Sequence, residues 1–90
     1  MTEPNEESAL TFPCDFPIKA MGHATEELEA LIVEIVRRHV PDLPDQAIRS
    51  RPSSNGKYLS VTVTVRAESR RQLDAIYVDL TSSEHVLMAL

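Results

Sequence analysis

The sequence predicts an α+β domain in which two amphipathic helices cover one face of a four-stranded antiparallel sheet. Three observations carry this prediction. Residues 59–67 alternate strictly between apolar and polar side chains, as a strand with one buried face does. The pair Asn55-Gly56 comes just before this strand and is typical of a tight hairpin turn. Residues 25–39 and 70–81 each carry one apolar stripe with helical spacing.

The strand at 57–67 is the centre of the predicted fold. Its core face is expected to hold Leu59, Val61, Val63, Val65 and Ala67. If Asn55 and Gly56 are the two central residues of a type I′ turn, both with positive φ, the register with a preceding strand at 47–53 follows. In that register Ser53 faces Tyr58, Arg51 faces Ser60, Arg49 faces Thr62, and Ile48 faces Val63.

The first half of the chain predicts a strand at about 16–21 and a helix at 25–39. Phe16, Ile18 and Ala20 share one parity, whereas Lys19 and Met21 share the other. Residues 22–25 then form the connector, in which Thr25 is the expected N-cap of the helix. The helix ends before Pro41, which cannot continue it.

The second half predicts a helix at 70–81 and a last strand at 85–90. Ser69 and Gln72 match a capping box at the start of the helix. In the last strand, Val86, Met88 and Leu90 are the expected core residues. The order β-α-β-β-α-β is that of the ferredoxin-like fold. Right-handed crossovers place both helices on one face of a sheet with strand order 4-1-3-2.

Length and composition bound the domain organisation and the location. Ninety residues suffice for one domain, which we expect at 11–90 after a flexible acidic tail at 1–10. The acidic N-terminus does not resemble a signal peptide, and the longest apolar run is too short to cross a membrane. The single Cys14 fits a reducing compartment. The sequence therefore predicts a soluble, cytoplasmic protein.

The sheet face turned away from the helices is the first candidate functional surface. Four of the nine basic residues, Lys19, Arg49, Arg51 and Arg66, are expected on this face, and no acid is. Its other expected members are Met21, Tyr58, Ser60, Thr62, Thr64 and Leu87. Such a face could bind anions or a partner, although an ordinary solvated face with long cationic side chains explains the pattern equally well.

Two loops are further candidates for anion binding. Backbone donors of Ser53, Ser54, Asn55 and Gly56, together with Lys57, could hold an anion, but a simple hairpin turn explains the same residues. Gly22 and His23 precede the N-terminus of the first helix, where free N–H groups favour an anion. A glycine needed only to turn the chain accounts for this pair as well.

Catalysis, metal binding and RNA binding find less support in the sequence. His23, His39 and His85 are isolated, and none forms a metal-ligand spacing with Cys14. No pairing of a nucleophile with a base is recognisable, so we expect no catalytic residues, metal or cofactor. Only Tyr58 could stack a base on the central strands, and the net charge is −5. Nucleic acid is therefore an unlikely partner.

Several segments resemble the YbeD-like family of small bacterial proteins of unknown function. They are residues 12–19 with Met21-Gly22, residues 51–61, residues 72–77 and residues 86–88, and the most specific of them is Pro-Ser-Ser-Asn-Gly-Lys-Tyr at 52–58. The resemblance covers about residues 10–90. It implies a ferredoxin-like fold similar to ACT-type regulatory domains, which pair with one another and bind small metabolites near the turn after the first strand. By this similarity Gly22 and His23 are candidates for ligand contacts.

Together these observations predict a non-enzymatic regulatory or sensor domain that binds a small anionic metabolite or a partner protein. The alternative is an interaction module that pairs through its sheet edges with a second copy, as a homodimer, or with another protein. RNA binding is the third hypothesis, and no membrane association is expected. The candidate binding residues are Lys19, Gly22, His23, Arg49, Arg51, Ser53, Ser54, Asn55, Gly56, Lys57, Tyr58 and Arg66.

Overall fold

A computed structural model describes residues 10–90 of the chain. The strands are β1 (Cys14–His23), β2 (Ile48–Pro52), β3 (Tyr58–Ala67) and β4 (Met88–Ala89). The helices are α1 (Leu28–Arg37) and α2 (Arg70–Ser82), and a short 3-10 turn at Asp45–Ala47 leads into β2. The acidic tail predicted at 1–10 lies, apart from Leu10, outside the described residues. Leu10 itself packs against the core.

The four strands form one antiparallel sheet in the order β2-β3-β1-β4. This is the predicted order, and with two helices on one face it confirms the ferredoxin-like fold. The long strands β1 and β3 occupy the centre and pair from Cys14↔Ala67 to His23↔Tyr58. The short strands β2 and β4 form the two edges.

The core lies between the sheet and the two helices, and every fully buried residue among 10–90 is apolar. β3 contributes the alternating residues that were predicted, with Val61, Val63 and Val65 at 0% exposure. Their partners come from β1 and from the apolar stripes of both helices: Ile18, Ala20, Leu28, Ile32, Ile35, Val36, Leu73, Ile76 and Leu80. All of these residues lie on one side of the sheet, and no helix within residues 10–90 covers its other side.

The β2–β3 hairpin has the predicted register but a different turn. Arg51 opposes Ser60, Arg49 opposes Thr62 and Ile48 opposes Val63, as predicted. The type I′ turn is wrong, because Gly56 is the one residue with positive φ (74°) among 10–90. The Gly56 N–H donates to the Ser53 carbonyl (2.9 Å), so the loop has four residues. A two-residue and a four-residue loop centred at the same point produce the same register.

The prediction that Gly22 and His23 form the connector after the first strand is wrong. Both residues belong to β1, opposite Leu59 and Tyr58, and the Ala24 N–H still donates to the Lys57 carbonyl (3.0 Å). Gly22 is buried, and a Cβ at this position would collide with the carbonyl oxygen of His85. Close approach of two backbones, and not a turn, therefore requires this glycine.

The ends of α1 also differ from the prediction. The helix begins at Leu28, after Glu27, and no side chain caps it, so the prediction of Thr25 as N-cap is wrong. The helix ends at Arg37, before the predicted limit of 39.

The last strand is shorter than predicted and has the opposite parity. Ala89 opposes Ala20 and Met88 opposes Met21, which places Ala89 on the core side and Met88 on the open side. Val86 is buried as predicted, but Met88 is 47% exposed and Leu90 is 67% exposed. The prediction of Met88 and Leu90 as core residues is therefore wrong. Pairing with β1 decides which side chains β4 buries. The sequence at 85–90 does not reveal this choice, because apolar residues stand at both alternating sets of positions.

No helix within residues 10–90 combines the length and the apolar character that crossing a membrane would require.

Candidate binding face

The sheet face turned away from the helices, here called the open face, is organised in rows across the four strands. Directly opposed residues of an antiparallel sheet share a face. One row is therefore Arg51, Ser60, Met21 and Met88, read from β2 to β4. The next row is Arg49, Thr62, Lys19 and Leu90, because Lys19 and Leu90 exchange backbone hydrogen bonds of 3.0 and 2.7 Å. Each row changes from basic at one edge to apolar at the other.

The basic end of the rows is formed by Arg49 and Arg51, here called the basic column. Both side chains are exposed, and with Lys19 they border a shallow depression floored by Ser60 and Thr62. Within residues 10–90 no carboxylate lies within ion-pair distance of these three cations. The predicted convergence of Lys19, Arg49 and Arg51 on one surface is confirmed.

Arg66, the fourth predicted cation, has a different environment. It opposes Asp15 in the register of β1 and β3, and its Nη1 lies 3.4 Å from Asp15 Oδ1. The prediction that the open face holds no acid is therefore wrong. Because Asp15 offsets its charge, Arg66 contributes less to an anion-attracting surface than Arg49 and Arg51 do.

The apolar end of the rows is formed by Met88 and Leu90, here called the apolar column, beside the half-buried Met21. Leu87, which is predicted on this face, precedes β4 and is 54% exposed. The sequence does not predict this column, because the alternation at 85–90 places Met88 and Leu90 in the core. One signal in the sequence does point to this column. Met21 is predicted on the open face, and an apolar residue there favours an apolar neighbour on the adjoining strand.

An aromatic pair closes one end of the open face. The rings of His23 and Tyr58 stack with their centroids 5.2 Å apart, and Lys57 Nζ lies 5.7 Å from the centre of the Tyr58 ring. His23 therefore lies on the open face beside Tyr58 and Lys57. It is held there by the pairing of β1 with β3, and not by a turn after β1.

The hairpin loop uses most of its polar groups internally. Asn55 Oδ1 accepts hydrogen bonds from the Ser53 hydroxyl (2.9 Å) and the Lys57 N–H (3.0 Å). Ser53 Oγ in turn accepts a hydrogen bond from the Tyr58 N–H (3.0 Å). All three backbone N–H groups at 56–58 thus have partners within the hairpin. Ser54 and Gly56 are exposed at the tip, away from the basic column.

The N-terminus of α1 is a poor position for an anion. Glu26, Glu27 and Glu29 surround it, and Gly22 beneath it is buried against His85. Carboxylates already interact favourably with the helix dipole there, and they repel a second negative charge. Gly22 opposes Leu59 and has the core-facing parity, so it does not share a face with Arg49 and Arg51.

Ionisable groups away from the open face include one pair that joins the two helices. His39 Nε2 lies 2.6 Å from Asp79 Oδ2 and joins the end of α1 to α2. Burial raises the pKa of the Tyr77 phenol on α2, and the positive charge of Arg70 opposes this shift. Cys14 is half-buried at the start of β1. Within residues 10–90 no three His, Cys, Asp or Glu side chains cluster as metal ligands would.

The fold and the open face define a small α+β domain of ferredoxin-like type, in which helices cover one sheet face and, among residues 10–90, no helix covers the other. The chain belongs to the DUF493 family, described as "Protein of unknown function (DUF493)", whose model matches residues 7–90. Its relatives carry the name UPF0250 protein, and the YbeD-like resemblance agrees with this family of small bacterial proteins.

Similar proteins come from several bacteria and match over nearly their whole length. A UPF0250 protein of Neisseria gonorrhoeae is 47% identical over 91 residues, which is 100% of both chains. The UPF0250 protein NE1487 of Nitrosomonas europaea is 44% identical over 85 residues, covering 94% of this chain and 98% of that protein. Protein HP0495 of H. pylori, solved in solution, has a TM-score of 0.69 at 14% identity, covering 90% of this chain and 85% of that one. The last similarity concerns the fold alone.

Proposed function

We propose that this chain is a non-enzymatic regulatory domain whose open sheet face binds an acidic partner protein. One observation carries the proposal: the two central rows across this face run from an exposed arginine of β2 to an exposed apolar side chain in or directly after β4. Charged and apolar groups that are separated at opposite edges of one face favour a protein surface of matching pattern. The regulatory role rests on the ACT-type similarity that the resemblance to the YbeD-like family implies.

The shape of the face favours a protein over a small metabolite. Small-molecule sites are concave and bury most of the ligand's surface. The depression bordered by Lys19, Arg49 and Arg51 is instead open to solvent and floored by short side chains of β3. An anion bound there would stay largely hydrated and would gain little, because exposed ion pairs contribute at most about 1 kcal/mol.

The edge of β2 is poorly suited to pairing with another strand. Arg49 and Arg51 exchange hydrogen bonds with β3, so the backbone groups of Ile48, Ser50 and Pro52 point outward. Pro52 has no N–H, and the Ile48 N–H already donates to the Asp45 carbonyl. Ser50 is left as the one outward donor of this strand. An edge with a proline and flanking arginines resists pairing with a second strand, which disfavours the sheet-edge alternative at β2.

RNA binding has less support than protein binding. The one aromatic pair on the open face, His23 and Tyr58, is already stacked on itself, and Asp15 adds a negative charge to the same face. Platforms for single-stranded RNA present unstacked aromatic rings on their central strands.

The test is a comparison of two double variants in affinity capture from bacterial extract. The variant R49S/R51S removes the basic column, whereas the matched control R70S/R71S removes two exposed arginines from α2. A captured protein should be lost with the first variant and retained with the second, and the purified protein should bind wild type with the same dependence. Equal binding to both variants would reject the open face as the binding surface. A metabolite that raises the Tm only when Arg49 and Arg51 are present would instead assign the face to a small anion.

A further inference from the structure

The geometry points to an acidic amphipathic helix as the partner segment, lying along the strands over β3 and β1. This inference rests on the proposed function and adds the secondary structure, orientation and charge pattern of what binds. In this arrangement the acidic flank of the helix contacts Arg49 and Arg51, and the apolar flank contacts Met88 and Leu90.

The width of the open face fits a helix. The basic column on β2 and the apolar column on β4 are separated by three strand spacings, or about 14 Å. A helix with its side chains is about 10–12 Å in diameter. A helix placed between the columns can therefore reach one of them with each flank.

The half of the floor that β3 forms has room for such a helix, because it presents the short side chains of Ser60, Thr62 and Thr64, none of them fully buried. The half that β1 forms adds the exposed Lys19, a further cation for the acidic flank, and the half-buried Met21 beside the apolar column. The Tyr58–His23 stack bounds one end of the floor, and the pair Arg66–Asp15 bounds the other. From Tyr58 to Arg66 the strand rises about 27 Å, which corresponds to a helix of about 18 residues.

An extended segment would not fit the same pattern. Successive side chains of an extended segment point to opposite sides. A segment lying flat along the strands would therefore present only one row of side chains to the open face. That row cannot contact two columns about 14 Å apart. A helix can, because residues three and four apart cover a wide stripe of its surface.

Designed peptides test the inference directly, before any natural partner is identified. The first is a labelled peptide of about 18 residues, the length of the floor, with glutamates along one flank, leucines along the other and alanines elsewhere. The second has the same composition in an order without helical periodicity, and the third is the first peptide with two central prolines. Binding to the full chain is measured by fluorescence anisotropy at low salt, where charge contacts are strongest.

We expect the first peptide to bind at least tenfold more tightly than the other two. The variant R49E/R51E should weaken it at least tenfold, and a version with lysines in place of the glutamates should recover binding to that variant. The matched control R70E/R71E should change little. Met88→Ser with Leu90→Ser should also weaken binding, since it removes the apolar column.

Two outcomes would overturn the inference while sparing the proposed function. If the proline-containing peptide binds as tightly as the first and still depends on Arg49 and Arg51, the helix is wrong and the proposed function stands. If no peptide binds although a captured partner requires the two arginines, the helix is again wrong. A third outcome reaches further: if neither the peptides nor any captured protein depends on Arg49 and Arg51, the proposed function itself fails.

Discussion

At the scale of single residues, Gly22 shows how one side chain can constrain the fold without touching a ligand. The absence of a Cβ lets the carbonyl oxygen of His85 approach β1, next to the point where the Leu87 N–H donates to the Met21 carbonyl (2.8 Å). Two side-chain carbons of Leu28 also lie 3.1 and 3.2 Å from the position of that Cβ. The site is thus closed by backbone on one side and by the core on the other.

Gly22→Ala should lower the free energy of unfolding by about 2–3 kcal/mol, because the new methyl group meets backbone that cannot easily move. Gly56→Ala is the matched control. Nothing lies within 4 Å of a Cβ there, and only the positive φ opposes an alanine, at a cost of about 1–2 kcal/mol. Urea unfolding measures both values. A Gly22→Ala variant as stable as Gly56→Ala would show that the segment at 85–87 shifts freely.

At the scale of elements, the two helices begin in different ways. Ser69 Oγ accepts a hydrogen bond from the Gln72 N–H (3.1 Å), and Gln72 Oε1 accepts one from the Glu68 N–H (2.7 Å). The predicted capping box is therefore present, although the return bond goes to residue 68 instead of 69. Gln72 Nε2 also donates to the His39 carbonyl (3.2 Å), which ties the start of α2 to the end of α1. α1 has no such cap.

Ser69→Ala should cost about 1 kcal/mol of stability, the usual value for a lost N-cap hydrogen bond. Thr25→Ala is the matched control, because Thr25 looks like a cap in the sequence but its side chain makes no capping hydrogen bond in the structure. Its cost should stay within about 0.5 kcal/mol, as for other exposed surface positions. Thermal unfolding of the two variants beside wild type measures the difference. Equal losses would mean that Thr25 stabilises α1 after all.

At the scale of the whole molecule, the strand that contributes most to the core is not one of the two strands that carry the basic and apolar columns. β3 pairs with a strand on each side and buries its valines completely. β4 has two residues at an edge, and its neighbours Leu87 and Leu90 are exposed. The apolar half of the open face therefore lies on the least anchored strand, and the basic half lies on β2, which a hairpin fastens to the centre.

Hydrogen exchange should reveal this division. Backbone amides of residues 61–65 should exchange slowest, near the rate set by global unfolding, and those of Leu87 and Leu90, which donate to the carbonyls of Met21 and Lys19, should exchange much faster through local opening. The measurement is native-state exchange followed by NMR. Protection of β4 as strong as that of β3 would show that the edge strand opens only when the whole domain unfolds.

Much of the fold could be predicted because its signals are local. The alternation at 59–67 and the helical stripes each arise within one element, and the register of β2 and β3 follows from a loop centred at 55–56. Part of the candidate face follows from equally local signals. The register of β2 and β3 places Arg49 and Arg51 on the open face, and the alternation within β1 places Lys19 there. The type of turn was not predictable from Asn55-Gly56 alone, since the hydrogen bonds of Ser53 and Asn55 favour a four-residue loop.

The sequence by itself thus determined the order and type of the elements, the central position of β3 and the basic half of the open face. Only the tertiary structure decided the parity of β4, the partner of Arg66, the strand position of Gly22 and His23, and hence the apolar half of that face. The physical reason is that a strand's side-chain period is two residues. An edge strand shifted by one position buries the opposite set, and only its long-range pairing with β1 distinguishes the two.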